Sequence, residues 1–190
     1  MIAIIAILAS MLLPVLNQAR AKGQASHCSN EFKQLGVAFS LYREQYGDFL
    51  MPHKEVVNGV SRTWYATMIE AKLWGASGER AGCPVARSAE DLNGPVAGMG
   101  MNASYFWMYQ KMNRIRQPSV LILGGDMYGW ISGWGFKDIH CSNLGKGGYP
   151  AFRHTRRANF VFLDGHVDTW GEARFPADCW TRPAFDCLYP

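Results

Sequence analysis

The stretch MIAIIAILASMLLPVL, residues 1–16, decides the fold because it is apolar throughout and carries no charge. The first charged residues after it are Arg20 and Lys22. A helix that is hydrophobic all round must leave water, either in a bilayer or among other helices. The uncharged run is slightly shorter than the roughly 20 residues that cross the core of a bilayer. We therefore predict a membrane helix that can also pack in an assembly of similar helices.

A signal peptide and a soluble core helix are the alternatives for the same run. A secretory signal peptide would be cleaved at the small-x-small triplet of residues 19–21, although no basic residue precedes the apolar core. The core helix of a soluble protein would normally show a polar face, which is missing here. Pro14 fits the membrane helix, where proline is tolerated and is expected to kink the helix.

The following segment has the pattern of an amphipathic helix. Its apolar face consists of Cys28, Phe32, Leu35, Phe39, Tyr42 and Tyr46, at alternating spacings of four and three residues. No proline interrupts residues 15–51, so we predict one helix over residues 2–46 that Gly47 ends. The chain would then consist of an apolar membrane or assembly half, residues 1–24, and a globular head, residues 25–190, that includes the amphipathic half.

The head has the pattern of an α+β fold with a small antiparallel sheet and loop-rich insertions. Residues 75–104 and 128–149 are rich in glycine and predict loops. The predicted elements are a helix over 61–74 with Ser61 as its N-cap, a buried strand over 120–123, and a hairpin of strands 159–163 and 166–170 whose turn is a two-residue type I′ turn at Asp164-Gly165.

Composition and cysteine spacing narrow the class of protein. A hydrophobic content of 48% excludes a disordered chain, and a net charge of +4 is only mildly basic. The densest basic cluster is Arg153, Arg156 and Arg157, which is too small to predict a nucleic-acid partner. Five cysteines show neither a CxxC pair nor the spacing of a zinc site, so we predict no structural zinc.

An exported chain can form disulfides, and an odd number of cysteines leaves one thiol over. A Cys28–Cys83 bond would tie the first helix to the head, and a Cys179–Cys187 bond would close a C-terminal loop. Buried free thiols are the alternative, and the connectivity stays open.

Candidate catalytic residues are His154, Asp164 and His166, together with Asp126. In an extended strand, however, His154 would lie about 30 Å from the Asp164 turn, and the antiparallel register would place it near Phe175. We therefore predict a structural motif in which Asp164 and Gly165 form the turn and His154 hydrogen-bonds a loop at the start of the strand.

No catalytic or metal-binding residue is predicted, and neither a catalytic triad nor a phosphate-binding loop has a local signature. We expect a protein that is not an enzyme and has no cofactor. Calcium is the alternative, because four aspartates supply oxygen ligands, although without EF-hand spacing. These aspartates are Asp126, Asp138, Asp164 and Asp168.

Several segments resemble one protein family. Residues 2–20 are similar to the interior of the N-terminal methylation helix of type IV prepilins and of the pseudopilins of type II secretion. The head resembles that of prepilin-type proteins with a His-(nine residues)-Asp-Gly domain, and the residues that carry this likeness are the segment 28–36, Cys83-Pro84, Pro118-Ser119, and His154 with Asp164-Gly165. In that family a basic leader, a methylated phenylalanine and a glutamate would all precede Met1, so we expect the processed end of the helix to lie upstream of this chain.

The resemblance implies a structural subunit of a surface or periplasmic filament. It would be anchored in the bacterial inner membrane by a single-pass helix, with its head in the periplasm. Its implied partners are homologous pilin-like subunits, membrane lipid before assembly, and a prepilin peptidase. The alternative is an exported glycan- or protein-binding module that uses the helix only as anchor or signal and binds through Trp130, Trp134, Trp170 and Trp180.

Overall fold

A computed structural model describes residues 2–52, 54–74, 81–86, 96–102, 110–128 and 149–174. A long N-terminal helix packs on small, mainly antiparallel sheets, so the predicted α+β fold is confirmed. Helix α1, Ile2–Gln45, has 44 residues, which is about 66 Å at 1.5 Å per residue. Pro14 lies inside this helix.

The two halves of α1 have different surroundings. Residues 2–23 are exposed on every side, whereas the second half contributes seven residues to the core. These residues are Cys28, Phe32, Leu35, Gly36, Ala38, Phe39 and Tyr42. The predicted apolar face is thus confirmed except at Tyr46, which follows the end of the helix and is 45% exposed.

The end of α1 is a glycine-dependent cap. Gly47 and Asp48 have positive φ angles of 63° and 67°. The backbone N–H of Asp48 donates to the carbonyl of Arg43 at 2.8 Å, which is the six-to-one bond of a Schellman motif. The predicted stop at Gly47 is confirmed.

In the described part of the chain, the main sheet has five strands. Its order is β5-β6-β8-β9, with β7 also paired to β6, and every pairing in it is antiparallel. Helix α1 packs across β8 and contacts β9. The strands and the second helix are β1 Lys54–Val57, β2 Val60–Thr63, α2 Trp64–Glu70, β3 Ala81–Gly82, β4 Val96–Ala97, β5 Met99–Met101, β6 Ile122–Tyr128, β7 Tyr149–Pro150, β8 Arg157–Phe162 and β9 Val167–Gly171.

Strand β6 continues through two glycines at which the prediction ended it. A Cβ atom on Gly124 would lie 2.6 Å from the carbonyl oxygen of Gly100, and one on Gly125 would lie 2.4 Å from Cδ1 of Phe160. The glycines therefore do not end the strand; they let its neighbours approach. Asp126 follows them and is consequently inside the sheet, fully buried.

The β8–β9 hairpin has a different turn from the predicted one. Val161 pairs with Val167, so residues 163–165 form a three-residue loop instead of a two-residue type I′ turn. Only Gly165 has a positive φ, at 90°, as in a type I turn that closes with a bulge. The register moves by one residue from that expected, and Gly36 of α1 packs directly on the turn, where an added Cβ would lie 3.1 Å from Cα of Gly165.

The second helix is shorter than predicted. Residues 60–63 pair with residues 54–57 in a hairpin whose Asn58-Gly59 turn has φ angles of 52° and 79°. Ser61 is therefore in strand β2 and is not the N-cap of α2. The predicted loop region 75–104 contains the short strands β3, β4 and β5. Most of the other predicted loop region, 128–149, lies outside the described residues.

Candidate functional site

Four buried side chains of metal-ligating type meet between α1 and the main sheet. They are Cys28 of α1, Cys83 just after β3, Asp126 of β6 and His154 before β8. Their exposed fractions are 0%, 3%, 0% and 6%. One ligand atom of each lies within 4.8 Å of one ligand atom of every other. We call these four residues the buried cluster.

The contacts inside the buried cluster form a chain. The Cys28 thiol donates to Oδ1 of Asp126 at 3.1 Å. Oδ2 of the same carboxylate lies 3.6 Å from Nε2 of His154, and that nitrogen lies 3.4 Å from Sγ of Cys83. Each of the four functional groups therefore has a neighbour in the cluster at about hydrogen-bond distance.

Asp126 is held in place from the sheet side. Gly125 pairs with Phe160, which puts Asp126 beside Asn159 on the neighbouring strand. The backbone N–H of Asn159 donates to Oδ2 of Asp126 at 2.8 Å, and its side-chain amide donates to the same oxygen at 3.1 Å. Oδ1 of that amide accepts a hydrogen bond from the Thr169 hydroxyl at 2.8 Å, which orients the amide.

His154 is positioned by a strained turn. Its backbone exchanges two hydrogen bonds of 3.0 Å with Arg157. Thr155 and Arg156 lie between them with φ angles of 55° and 60°, a conformation that glycine or asparagine normally adopts and that is unfavourable for a β-branched residue. Such strain costs about 1–3 kcal/mol per residue and is common at functional sites.

Burial and hydrogen bonding shift the protonation of the cluster. Burial raises the pKa of Asp126 to about 6 against the opposing effect of the Asn159 hydrogen bond. The hydrogen bond between the two thiols raises the pKa of Cys28 and lowers that of Cys83. Burial lowers the pKa of His154, but its contacts with Cys83 and Asp126 outweigh this and leave the pKa raised. The cluster therefore concentrates negative charge around one imidazole.

The structure brings together two residues that the sequence analysis separated. The sequence analysis rejected a site that contains His154 and Asp126 because His154 was expected to lie far from the Asp164 turn. That distance does not apply to strand β6, and Nε2 of His154 lies 3.6 Å from Oδ2 of Asp126. Asp164 and His166 instead pair with each other at the exposed turn, with Nδ1 of His166 2.6 Å from Oδ1 of Asp164. Gly165 completes that turn.

The cysteine predictions have different outcomes. Cys28 and Cys83 do lie together, and both are free thiols. The two residues are close to each other but not bonded here, and the disulfide between them stays a prediction. Cys141, Cys179 and Cys187 lie outside the described residues.

The aspartates of the calcium alternative do not converge where they are described. Asp126 belongs to the buried cluster, and Asp164 pairs with His166. Asp168 accepts hydrogen bonds from the Trp170 indole at 2.7 Å and from Arg174 at 3.0 Å. Asp138 lies outside the described residues.

The tryptophans of the binding-module alternative are described at one position only. Trp170 is 7% exposed and its ring packs against Phe160 and Phe162, at 5.3 Å and 5.5 Å between centroids. It is a core residue. Trp130, Trp134 and Trp180 lie outside the described residues.

Local sequence spacing could not reveal the buried cluster. Cys28 and Asp126 are 98 residues apart, and Cys83 and His154 are 71 residues apart. The available signal was that Cys28, Cys83 and His154 each stand in a segment that carries the family resemblance. Asp126 had a weaker signal, because it follows a glycine pair after an apolar strand.

The arrangement is suited to holding a metal ion or to pairing two thiols, since all four groups are closed off from solvent.

Comparisons with protein-family models, with curated proteins and with solved structures found no match for this chain. The resemblance to prepilin-type proteins therefore stays a prediction.

Proposed function

We propose that this protein is a membrane-anchored, pilin-like or pseudopilin subunit that assembles into a surface or periplasmic filament through the first half of α1. The observation that carries the proposal is a single continuous helix, exposed on all sides in its first half and buried in the head in its second half. By length and composition the helix is long and apolar enough to cross a membrane, and its apolar part is not buried in the head.

The exposed half of α1 needs an apolar environment. Residues 2–19 carry no charge and extend about 27 Å, close to the roughly 30 Å of a bilayer core. Exposed apolar surface costs about 25 cal/mol per Å² in water, and soluble monomers rarely expose patches above a few hundred Å². The large side chains exposed on this half are Ile2, Ile4, Ile5, Ile7, Leu8, Met11, Leu12, Leu13, Val15 and Leu16.

The buried half of α1 makes the helix a rigid extension of the head. Phe32 and Phe39 are 0% and 4% exposed and belong to the main core. Gly36 lies so close to the hairpin turn that an added Cβ would be 3.1 Å from Gly165. The head therefore fixes the direction in which the exposed half projects, which is what a subunit needs if its helix packs among identical helices.

The family resemblance supports the cellular part of the proposal. It places the helix in the bacterial inner membrane before assembly, with lipid around it and the head in the periplasm. Homologous subunits would then replace lipid around the apolar half. Processing by a prepilin peptidase belongs to the same proposal.

A matched pair of arginine substitutions tests the anchor. Leu12 and Val37 are 66% and 61% exposed on the same helix, one in the apolar half and one on the head. An arginine at the centre of a membrane helix costs about 3 kcal/mol. We expect Leu12→Arg to reduce flotation of the purified full chain with liposomes about 100-fold, and Val37→Arg to leave it unchanged. Equal flotation of both variants would contradict the anchor.

Filament formation is tested separately, by electron microscopy of sheared surface or periplasmic material with an antibody against the head. Labelled filaments should be present for the wild type and for Val37→Arg, and missing for Leu12→Arg. A wild-type protein that is anchored in membranes but never found in filaments would contradict the filament subunit and favour the anchored binding module.

A further inference from the structure

We propose that Cys28, Cys83, Asp126 and His154 bind one zinc ion, which fastens α1 to the main sheet. The ligands come from four separate parts of the chain, and each side chain is more than nine-tenths buried. The site is independent of the proposed function, because it lies in the head and requires neither membrane nor filament.

The distances inside the cluster match those around a tetrahedral zinc ion. Zinc binds sulfur at about 2.3 Å and nitrogen or oxygen at about 2.0 Å, which separates neighbouring ligand atoms by about 3.3–3.8 Å. Two contacts join atoms that would both bind the metal: Cys28 Sγ lies 3.1 Å from Asp126 Oδ1, and Cys83 Sγ lies 3.4 Å from His154 Nε2. His154 Nε2 also lies 3.6 Å from Oδ2, the other oxygen of the same carboxylate. The remaining ligand pairs lie within 4.8 Å of each other, so movements of up to about 1 Å would complete the coordination.

The charges of the ligands suit a divalent cation. Metal binding releases thiol protons, so the Cys28 thiol that now donates to Asp126 would be ionised, and the two cysteines and Asp126 would then carry three negative charges beside a neutral His154. Buried charges are unfavourable unless they are paired or coordinate a metal. The nearby guanidinium of Arg153 already donates to the carbonyl oxygens of Gly98 and Met127. A divalent cation would offset two of the three charges.

The groups behind the ligands are arranged as a metal site requires. Hydrogen bonds to ligating carboxylates and histidines orient them and tune the metal. Asn159 donates twice to Oδ2 of Asp126, and Thr169 orients Asn159. Oδ1 of Asp126, which faces Cys28, therefore remains available as the ligand atom. The strained turn beside His154 holds the imidazole toward the two sulfurs.

The ligand set selects the metal and its role. Two thiolates with an imidazole favour zinc, whereas calcium and magnesium prefer oxygen ligands in larger number. Catalytic zinc sites keep one position open for water, and structural sites are closed by four protein ligands. The buried cluster supplies four ligands and no exposed position, so the zinc is structural. It joins segments that are distant in sequence, where a cross-link restricts the unfolded chain most.

The first test is the metal content of the full chain, purified in detergent with any polyhistidine tag removed. Elemental mass spectrometry of the purified protein should find about one zinc ion per chain. His154→Gln should lose it, and His166→Gln should keep it, because His166 has an even closer aspartate partner but lies at the exposed turn. Absence of zinc from the wild type, or its retention by His154→Gln, would overturn the proposal.

Two further measurements cover the case in which His154→Gln does not fold. His154→Cys replaces one zinc ligand by another and should retain the metal, which a purely packing role for the imidazole does not predict. In the wild type, exchange of zinc for cobalt should give the intense visible absorption of tetrahedral cobalt thiolate. Loss of zinc from His154→Cys together with a colourless cobalt protein would overturn the proposal.

The last measurement separates zinc binding from a Cys28–Cys83 disulfide. Alkylation of the unfolded chain without a reductant should modify both residues if they were zinc ligands. Protection of both until reduction would show a disulfide and overturn the proposal. Removal of zinc by a chelator should also lower Tm by about 10 °C, as expected for a site about 1,000-fold saturated in a chain of this size.

Discussion

Two aspartate–histidine pairs in the described part of the head differ most in their exposure to water. Asp126 and His154 come from β6 and from the turn before β8, and their side chains are 0% and 3% exposed. Asp164 and His166 are two residues apart in the β8–β9 turn, and their side chains are 34% and 45% exposed. The buried pair is separated by 3.6 Å and the exposed pair by 2.6 Å.

The shorter distance in the exposed pair does not make that pair the larger contributor to stability. Water screens the exposed pair, and such pairs contribute about 0–1 kcal/mol. The buried pair has given up its hydration, so removal of one member leaves the remaining groups without partners. The exposed pair can form from a few consecutive residues, whereas the buried pair exists only when helix and sheet have assembled. Four predictions test this difference, from the largest expected effect to the smallest.

Asp126→Ala should lower the free energy of unfolding by about 3–5 kcal/mol, because it leaves the Asn159 amide and the Cys28 thiol without their buried acceptor. Asp164→Ala should cost less than about 1 kcal/mol. Chemical denaturation of the full chain in detergent measures both losses. Similar losses for the two variants would contradict the ranking.

The glycine beside each aspartate should respond differently to substitution. Gly125→Ala should cost about 2–3 kcal/mol, because its Cβ would lie 2.4 Å from Phe160. Gly165→Ala should cost about 1 kcal/mol, because its Cβ meets nothing within 4 Å and only its φ of 90° is unfavourable.

Asparagine separates these two causes, since it tolerates a positive φ but is larger than alanine. Gly165→Asn should recover much of the stability that Gly165→Ala loses, while Gly125→Asn should be worse than Gly125→Ala. The midpoints of chemical denaturation, compared between variants with the same m-value, give the change in the free energy of unfolding. A recovery at Gly125 would show that space is not the limit there.

Substitutions at Asn159 and at Thr169, which hold the buried pair in place, should lower the free energy of unfolding by an intermediate amount. Asn159→Ala removes a hydrogen bond to the Asp126 carboxylate and should cost about 2 kcal/mol. Thr169→Val removes only the hydroxyl that orients the amide and should cost about 1 kcal/mol. Asn159→Ala should also weaken zinc binding by about 10- to 100-fold, measured by competition with a chelator. Unchanged zinc affinity would show that Asn159 does not orient the ligand.

The smallest effect is expected at Asp168 on strand β9. Partial burial raises its pKa, but hydrogen bonds from Trp170 and Thr169 and the charge of Arg174 outweigh it, so the pKa is below the ordinary value of 3.8. A lowered pKa in the folded state stabilises the protein above pH 3.8, and this contribution is lost as the pH falls through the lowered value. Its size should be under about 1 kcal/mol, as for other exposed groups.

The difference in unfolding free energy between the wild type and Asp168→Asn, measured across the acid range, checks this prediction. The difference should shrink toward low pH and stay constant near neutrality. A difference that grew on acidification would give the opposite sign to the pKa shift.

Features with a local pattern could be predicted from the sequence. The uniform apolar run, the face from Cys28 to Tyr42 and the Gly47 stop each depend on residues within a few turns of one helix, and they are confirmed. The hairpin was predicted, but not its loop length, because Asp-Gly is compatible with both a two-residue and a three-residue turn. The Asn58-Gly59 hairpin has an equally clear signal that the helix prediction over 61–74 obscured.

The candidate site could not be predicted, because its geometry depends on contacts between distant elements. A glycine pair usually ends a strand, and here it allows two neighbouring strands to approach and carries Asp126 inward. The spacing rules for zinc sites describe ligands in short loops, and the cluster takes one ligand from each of four segments. The pairing of β6 with β8 and the packing of α1 against β8 and β3 bring those segments together.

The position of Cys28 along α1 has a mechanical consequence. It is the first buried residue after the projecting half of the helix. A pulling force on that half would enter the head from Cys28 onward and pass to strand β8, against which α1 packs, and to strand β6 through the 3.1 Å hydrogen bond from Cys28 to Asp126. Strand β6 is the central strand, paired with β5, β7 and β8. Tension along the helix would thus be shared among several strands at once, and no single strand edge would have to resist it alone.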